Sequence, residues 1–444
     1  MYLSGIHVEN FKGIKSVDLE FDRSVNLIIG DNGTGKTSIL EAISVALGGF
    51  LSGIDGVNTI HFSKDEIRRE NQLTGTGSNN IVYKTPIRVD VCLELDVGDG
   101  KGKQVFEFSR QKKSIKSSRS TVEPRYICKA AQAMTENPES ILPVISYQSF
   151  SRVSNQKRDK WENPFSDDYS RVVGYVDCLE EAANDKMMTN WCKKMEQISW
   201  QQDKTVLEYE AVKRAVSKFM RSMQNDERIC TFYDKRTEEL MYSNGEEILP
   251  IRLLSSGFRN LLGMVFDIAY RMAVLNPDLL EDVTEKTPGI VLIDEVDMHL
   301  HPSWQWRVID ALKNTFPRVQ FIGTTHSPII IASCKEERLI SLQLEDIFLD
   351  KPSEIVLGKT VKGWMVDSVL KEHMHTGNRA PETMEKLKRL SELAKEKLSG
   401  CMDQRAKEEY ESLIGELSDT LPEDDIAVEE AAFMSIDEIL GEKN

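Results

Sequence analysis

The sequence predicts an α/β fold on a mixed, largely parallel sheet, with an inserted helical lid and a helical C-terminal region. Two observations carry that prediction. The run LIIGDNGTGKTSILEAI (27–43) joins an apolar strand, a glycine-rich turn and a helix. Much later, the apolar runs GIVLIDE (289–295) and VQFIGTTHSP (319–328) flank the helical stretch PSWQWRVIDALKNTF. Strand, helix, strand in that order is the unit from which parallel sheets are built.

Taken in order, residues 1–150 read as β-rich. SGIHVENF, VDLEF and VNLIIG are short strand patterns, and the helix TSILEAISVALGGFLSGI is expected to end near Gly48 and Gly49. IRVDVCLELDV and QVFEFSR add strands, and LPVISYQSF (142–150) returns as a buried one. Between them RQKKSIKSSRSTVEPR, basic and serine-rich, reads as a solvated loop or hairpin tip. Residues 151–228 turn helical, with apolar residues three and four apart. Residues 229–350 hold the pattern RICTFYDKRTEELMYSNGEEILPI, a hairpin turning at Asn244-Gly245, then the helix NLLGMVFDIAYRMAVLNP and the two apolar strands. Residues 351–444 are helical and polar, with acids well in excess from Asp403 onward. Leu387, Leu390, Leu393, Ile414 and Leu417 keep helical spacing there, which favours real helices over disorder.

Composition narrows the classes. Of 444 residues, 40% are hydrophobic and 29% charged, an ordinary composition for a soluble protein. A net charge of −16 argues against coating nucleic acid through the whole surface, though a local basic path stays open. The seven cysteines are scattered and form no CxxC pair, so neither a zinc site nor a disulfide framework is expected, and a reducing cytoplasm fits. The N-terminal stretch shows no signal-peptide core, and no apolar run approaches the ~20 residues of a membrane span, so no membrane role is expected.

The glycine-rich turn carries chemistry. Gly30-Asp31-Asn32-Gly33-Thr34-Gly35-Lys36-Thr37 fits GxxxxGK[ST], followed by Ser38. Its glycines allow backbone N–H groups to converge on phosphates, and the helix that follows adds its positive end. Lys36 then reaches the β- and γ-phosphates, and the Thr37 hydroxyl takes Mg²⁺. GIVLIDE supplies the second half: a buried strand delivers Asp294 to hold Mg²⁺ through water, with Glu295 placed to polarise the attacking water. The expected cofactors are ATP and Mg²⁺.

Two further stretches separate the nucleotide families. LLSSGFRN (253–260) opens a helix and resembles the ABC-ATPase signature LSGGQ, with Ser256 for the first glycine and Phe258 for the glutamine. FIGTTHSP ends a strand in His326, where that class carries its switch histidine. With VENFKGI near the start, the chain resembles an SMC-like member of the ABC-ATPase superfamily. LIDEVDMHLHPSWQ with FIGTTHSP resembles compact bacterial AAA-type ATPases of Septu-type and retron-associated antiphage systems. The likeness covers most of residues 1–345 and implies an ABC-type ATPase head.

That resemblance implies a composite site in a homodimer or higher even oligomer, with ATP between paired heads. Lys36, Thr37, Asp294, Glu295 and His326 act on the nucleotide of their own subunit. Ser255 and Gly257 reach across to the other. Gln148 is the candidate for the glutamine that senses Mg²⁺ and water, Arg152 shares that task, and Lys12 approaches the ribose or base. Asp297, His299 and His301 fall at the dimer seam, where HLHP reads as interface packing. His373 and His375 read as solvated. No nuclease constellation is visible, so cutting is expected of a partner effector docked on the C-terminal helices. The alternative is a DNA repair or recombination ATPase that binds DNA directly through the basic stretch Arg110–Arg125.

Overall fold

The computed structural model describes residues 1–73, 79–149, 170–180, 185–342, 361, 363–374, 376–399, 402–422 and 425. They divide into two units, Met1–Val366 and a second from Asp367 onward. The strands of the first are β1 (Tyr2–Phe11), β2 (Ile14–Glu20), β3 (Val25–Gly30), β4 (Arg69–Leu73), β5 (Asn79–Tyr83), β6 (Ile87–Asp96), β7 (Lys103–Lys112), β8 (Thr121–Glu123), β9 (Val144–Gln148), β10 (Cys230–Asp234), β11 (Glu239–Ser243), β12 (Ile248–Pro250), β13 (Gly289–Ile293), β14 (Val319–Thr324) and β15 (Arg338–Leu342).

Two five-stranded sheets organise this unit. One is antiparallel, in the order β2-β1-β6-β7-β8. Along β6 buried residues alternate with more exposed ones, the pattern of a sheet packed on one face. The other is wholly parallel, in the order β15-β3-β14-β13-β9. Its central strands β13 and β14 are buried at every residue, as strands covered on both faces must be. Gln320 of β14 ties the sheets together: its side chain donates to Leu3 O and accepts from Leu3 N, each at 2.8 Å. Buried amide groups are thus satisfied across the seam.

The helix α1 (Lys36–Leu51) follows β3 and runs between the sheets, buried along most of its length. It does not stop at Gly48 and Gly49. Both lie inside it, because they allow close contact: a Cβ would stand 2.4 Å from Thr59 Oγ1 at Gly48 and 2.8 Å from the Phe108 ring at Gly49. The glycines here serve packing, and the helix runs on to Leu51.

After α2 (Tyr126–Glu136), the helical insertion contributes α3 (Asp185–Gln202) and α4 (Leu207–Gln224). Trp191 of α3 meets Tyr209 of α4 and Tyr270 of α5 (Ser256–Leu275) edge-on, at 5.6 and 5.2 Å between ring centroids. Arg152, in the same insertion, lies outside the described residues. The helices α6 (Val308–Thr315) and α7 (Pro328–Ser333) follow in the same unit. The stretch 230–250 forms a three-stranded meander instead of one hairpin, and Asn244-Gly245 turns β11 into β12.

The basic tip is not solvated throughout. β7 carries Arg110 and Lys112 inward, and both are buried. Arg110 Nη2 donates to Ile60 O at 2.9 Å and approaches His61 Nδ1 at 3.1 Å. Lys112 donates to Ser117 O. Only Lys113, Lys116 and Arg119 of this run remain exposed cations before Arg125.

The second unit holds α8 (Val366–His373) from Asp367 onward, α9 (Pro381–Leu398) and α10 (Gln404–Thr420). Leu390 and Leu393 of α9 bury against Tyr410 and Leu417 of α10, with Leu387 and Ile414 beside them. Arg389 closes the pair with two 2.8 Å bonds to Glu409. His373 is buried, against the solvated reading, and His375 lies outside the described residues.

Candidate functional site

The site forms where β3, β13, β14 and β9 end side by side, since parallel strands deliver their following loops to one edge. The turn after β3 reverses through Gly30, Gly33 and Gly35, all at positive φ. Gly33 requires glycine for its φ of 85° alone, because a Cβ there would meet open space. Asp31, Asn32 and Gly33 are exposed, while Thr34 is buried and its hydroxyl donates to Asp31 O at 2.9 Å. The loop is held open-side outward by its own side chain.

Lys36 is buried, and its ammonium donates to Gly30 O at 2.8 Å and Asp31 O at 2.7 Å. Burial pulls its pKa below the usual lysine range, opposed by the charges of Asp31, Asp294, Glu295 and Asp297. Four carboxylates therefore share the space around one amine. Thr37, on the first turn of α1, donates to Asp294 Oδ1 at 3.1 Å. The hydroxyl and carboxylate predicted as metal donors from sequence positions far apart are adjacent. Ser38 stands next to them, half-buried.

Asp294 has three anchors. Its N–H donates to Gln148 O at 2.8 Å, and its Oδ1 accepts from Thr37 and, at 2.7 Å, from Thr324 Oγ1. The same Thr324 oxygen accepts from Glu295 N at 2.8 Å. One hydroxyl thus fixes both acids, and Glu295 takes a left-handed φ of 56° to leave the strand. Sequence reasoning passed over Thr324. Its place just before Thr325-His326 at a strand end was the available signal.

His326 is held through the backbone. Asp297 Oδ1 accepts from His326 N at 3.2 Å and from Thr325 Oγ1 at 2.6 Å. Asp297 therefore anchors the loop that carries the histidine. Ser327 then caps α7, accepting from Ile329 N and Ile330 N, and donates to Gln305 Oε1 at 2.7 Å. His301 caps the one-turn helix that contains Gln305.

The signature turn is divided. Ser255 and Ser256 are exposed at the start of α5, and Ser255 Oγ accepts from Phe258 N as an N-cap. Gly257 is buried: a Cβ would fall 2.2 Å from His299 O. Its lack of a side chain thus lets α5 approach the loop after the acid strand. Phe258, where the family has glutamine, packs edge-on between Tyr242 and Trp304, at 4.8 and 5.3 Å between centroids. Gln148 ends β9 beside Ile293, yet its side-chain nitrogen donates to Asp267 Oδ2 and Ser146 Oγ, each at 2.7 Å. Lys12 pairs with Glu41 of α1.

These residues fit a magnesium nucleotide. Mg²⁺ keeps several waters and takes one or two protein oxygens besides the phosphates. Thr37 and Asp294 supply that number, beside a loop of outward-facing glycines at a helix N-terminus.

Comparison with known proteins points the same way. Residues 6–224 match a family model described as "AAA domain", and residues 141–332 one described as "AAA domain, putative AbiEii toxin, Type IV TA system". An acid-terminated parallel sheet behind a phosphate loop makes this chain a nucleotide-hydrolysing head. It is an ATPase, similar to proteins named for retrons and for Septu. It is 29% identical over 374 residues to "Retron Vc95 probable ATPase" of Vibrio cholerae serotype O1 biovar El Tor, spanning 72% of this chain and 68% of that one. It is 25% identical over 392 residues to "Septu protein PtuA" of Bacillus thuringiensis, spanning 84% of each. The solved SmcHead bound to the C-winged helix domain of ScpA is 18% identical, with 77% of this chain and 95% of that one covered and a TM-score of 0.47. Among the described residues no helix is long and apolar enough to cross a membrane.

Proposed function

We propose that this ATPase binds ATP with Mg²⁺, pairs head-to-tail with a second copy around the nucleotide, and thereby licenses a partner effector in antiphage defence. The observation that carries the reading is the 3.1 Å contact between Thr37 and Asp294, with Glu295 fixed through the same threonine that holds Asp294. Thr37 and Asp294 would hold the metal, which when bound neutralises charge on the β- and γ-phosphates. Glu295 accepts a proton from the attacking water. Lys36 exchanges its two carbonyl contacts for phosphate oxygens. His326 steadies the γ-phosphate side from the loop anchored by Asp297.

Ser255 and Ser256, at the start of α5, are the part of the signature offered outward, so they supply the second subunit's contribution. A helix start is an anion site, and α5 opens with outward-facing serines. The effector, with nuclease chemistry as its expected activity, would dock on the helices after Asp367. The names of the retron and Septu relatives support the defence assignment. Direct DNA binding loses two of its cations, since Arg110 and Lys112 are buried.

Replacing Glu295 with Gln tests the core of this reading. Hydrolysis should fall by about 10²–10⁴, while ATP stays bound and the protein runs as a dimer in size-exclusion chromatography with light scattering. Wild-type turnover, or a monomer under saturating ATP and Mg²⁺, overturns it.

A further inference from the structure

Gln148 sits where the parallel sheet meets the signature helix. Its backbone carbonyl accepts from Asp294 N at 2.8 Å, so its position and that of the metal-side acid are set together. Its side-chain nitrogen is engaged by Asp267 Oδ2 at 2.7 Å. Asp267 lies on α5, buried, and the same carboxylate accepts from Ser146 Oγ at 3.1 Å and from Arg271 Nε at 3.0 and 3.1 Å. Arg271, one turn along α5 and fully buried, passes the link on: its Nη1 donates to Gly174 O at 2.8 Å and Val176 O at 2.9 Å. Those carbonyls belong to the described segment at the foot of the helical insertion. Gly174 fits only as glycine, since a Cβ would stand 2.6 Å from Leu275.

The chemistry of the amide gives this chain of contacts a direction. A carboxylate accepts and never donates, so Asp267 selects the NH₂ end of Gln148. The carbonyl end, Oε1, is then the one left pointing away from Asp267. A hard cation or the hydrogens of a water take a carbonyl oxygen and refuse an NH₂ group. Ser146 Oγ, the amide's other partner at 2.7 Å, can donate as well as accept, so without the Asp267 carboxylate it would hold either end of the amide. A buried carboxylate–guanidinium pair is also a poor device for stability alone, because apolar residues of like volume commonly do as well.

We propose that Asp267 is a positioning residue for ATP hydrolysis. It orients the Gln148 amide with its oxygen toward the Asp294 side, and Arg271 makes that orientation depend on the 174–176 segment. The proposal rests on the ATPase reading of Gln148, and the test separates the two.

The experiment compares wild type with Asp267→Asn, Gln148→Ala, their double variant, and the apolar swap Asp267→Leu with Arg271→Met, which keeps the core filled. Steady-state ATP hydrolysis, Mg²⁺ titration, binding of a fluorescent ATP analogue and hydrogen exchange of residues 171–180 are measured on the full chain. Asp267→Asn should lower kcat about tenfold with KM for ATP little changed, as loss of an orienting partner does. The double variant should be no worse than Gln148→Ala. Exchange at 174–176 should quicken in Asp267→Asn, and the apolar swap should show the same kcat loss while binding the analogue normally. Additive losses in the double variant overturn the proposal, because Asp267 then acts by another route. Full activity in the apolar swap also overturns it. Wild-type kcat in Gln148→Ala instead removes the assigned role of Gln148 itself.

Discussion

The Asp297 carboxylate accepts from the backbone N–H of His326 at 3.2 Å and from the Thr325 hydroxyl at 2.6 Å. The loop after the acid strand therefore carries the loop that presents the histidine. Asp297→Ala leaves the Thr325 hydroxyl, itself buried, without its acceptor, a loss of about 1–3 kcal/mol. His326 keeps its side chain but loses its anchor. The expected outcome is a kcat lowered about tenfold or more with KM for ATP little changed, and a lower denaturant midpoint. Steady-state kinetics and urea unfolding check it. An Asp297→Ala protein with normal kcat would show that His326 needs no such support.

Thr324 offers a cleaner isosteric test. Its hydroxyl donates to Asp294 Oδ1 and accepts from Glu295 N, so Thr324→Val keeps the volume and removes both hydrogen bonds. The Glu295 amide is deprived of its acceptor, and both acids give up their common reference point. Hydrolysis should fall about 10–100-fold, the range for removing a supporting interaction. Binding of a nucleotide analogue should fall much less, because the phosphate loop is untouched. Equal losses in binding and turnover would place Thr324 in nucleotide affinity instead.

The basic tip separates charge that supports the fold from charge that faces outward. Arg110 is buried among main-chain carbonyls; burial brings its pKa down to about 10, so it stays charged at neutral pH. Its acceptors are the carbonyls of Gly48 and Ile60, at the end of α1 and in the loop beyond. A cation near a helix C-terminus is favoured by the exposed carbonyls there. Arg110→Gln should cost about 1–3 kcal/mol of stability by chemical denaturation. Charge reversal of Lys113, Lys116 and Arg119 should leave stability nearly unchanged. If DNA binds at this tip, that triple variant lowers the slope of log affinity against log salt by roughly 0.9 for each phosphate that is no longer neutralised. An unchanged slope favours the partner-driven reading.

How far the sequence could be read depended on whether a residue acts through local pattern or through long-range partners. The phosphate loop, the acid strand and the histidine were legible, because each sits at the end of an apolar strand with its own spacing. The parallel sheet was legible for the same reason: buried strands read as apolar runs, unbroken in β13 and interrupted only by Gln320 before the closing Thr324 in β14. Asp267 and Arg271 were not, since nothing local distinguishes them from other polar residues and the partners that give them meaning, Gln148 and the carbonyls of Gly174 and Val176, lie elsewhere in the chain. Arg110 was misread because composition marks a basic run as solvated, while strand alternation turns every second side chain inward. Gly48 and Gly49 misled in the opposite sense, being small for packing rather than for ending a helix.

The pH response of the head should be set partly by His61. Its Nδ1 accepts from Ser120 N at 3.2 Å and faces Arg110 Nη2 at 3.1 Å, so the neutral ring carries its hydrogen on Nε2. Burial lowers its pKa, and the charges of Arg110, Arg119 and Lys112 lower it further. In the unfolded chain the imidazole regains the ordinary value of about 6.5. Below that value the unfolded state takes up a proton that the folded state refuses, so stability falls as pH drops, until the folded pKa is reached. His61→Asn keeps an acceptor for Ser120 N and Arg110 but cannot titrate. Wild type should lose more thermal stability than His61→Asn between about pH 7.5 and about pH 5.5, measured by circular dichroism melts. Parallel losses in the two proteins would assign the acid sensitivity to other groups.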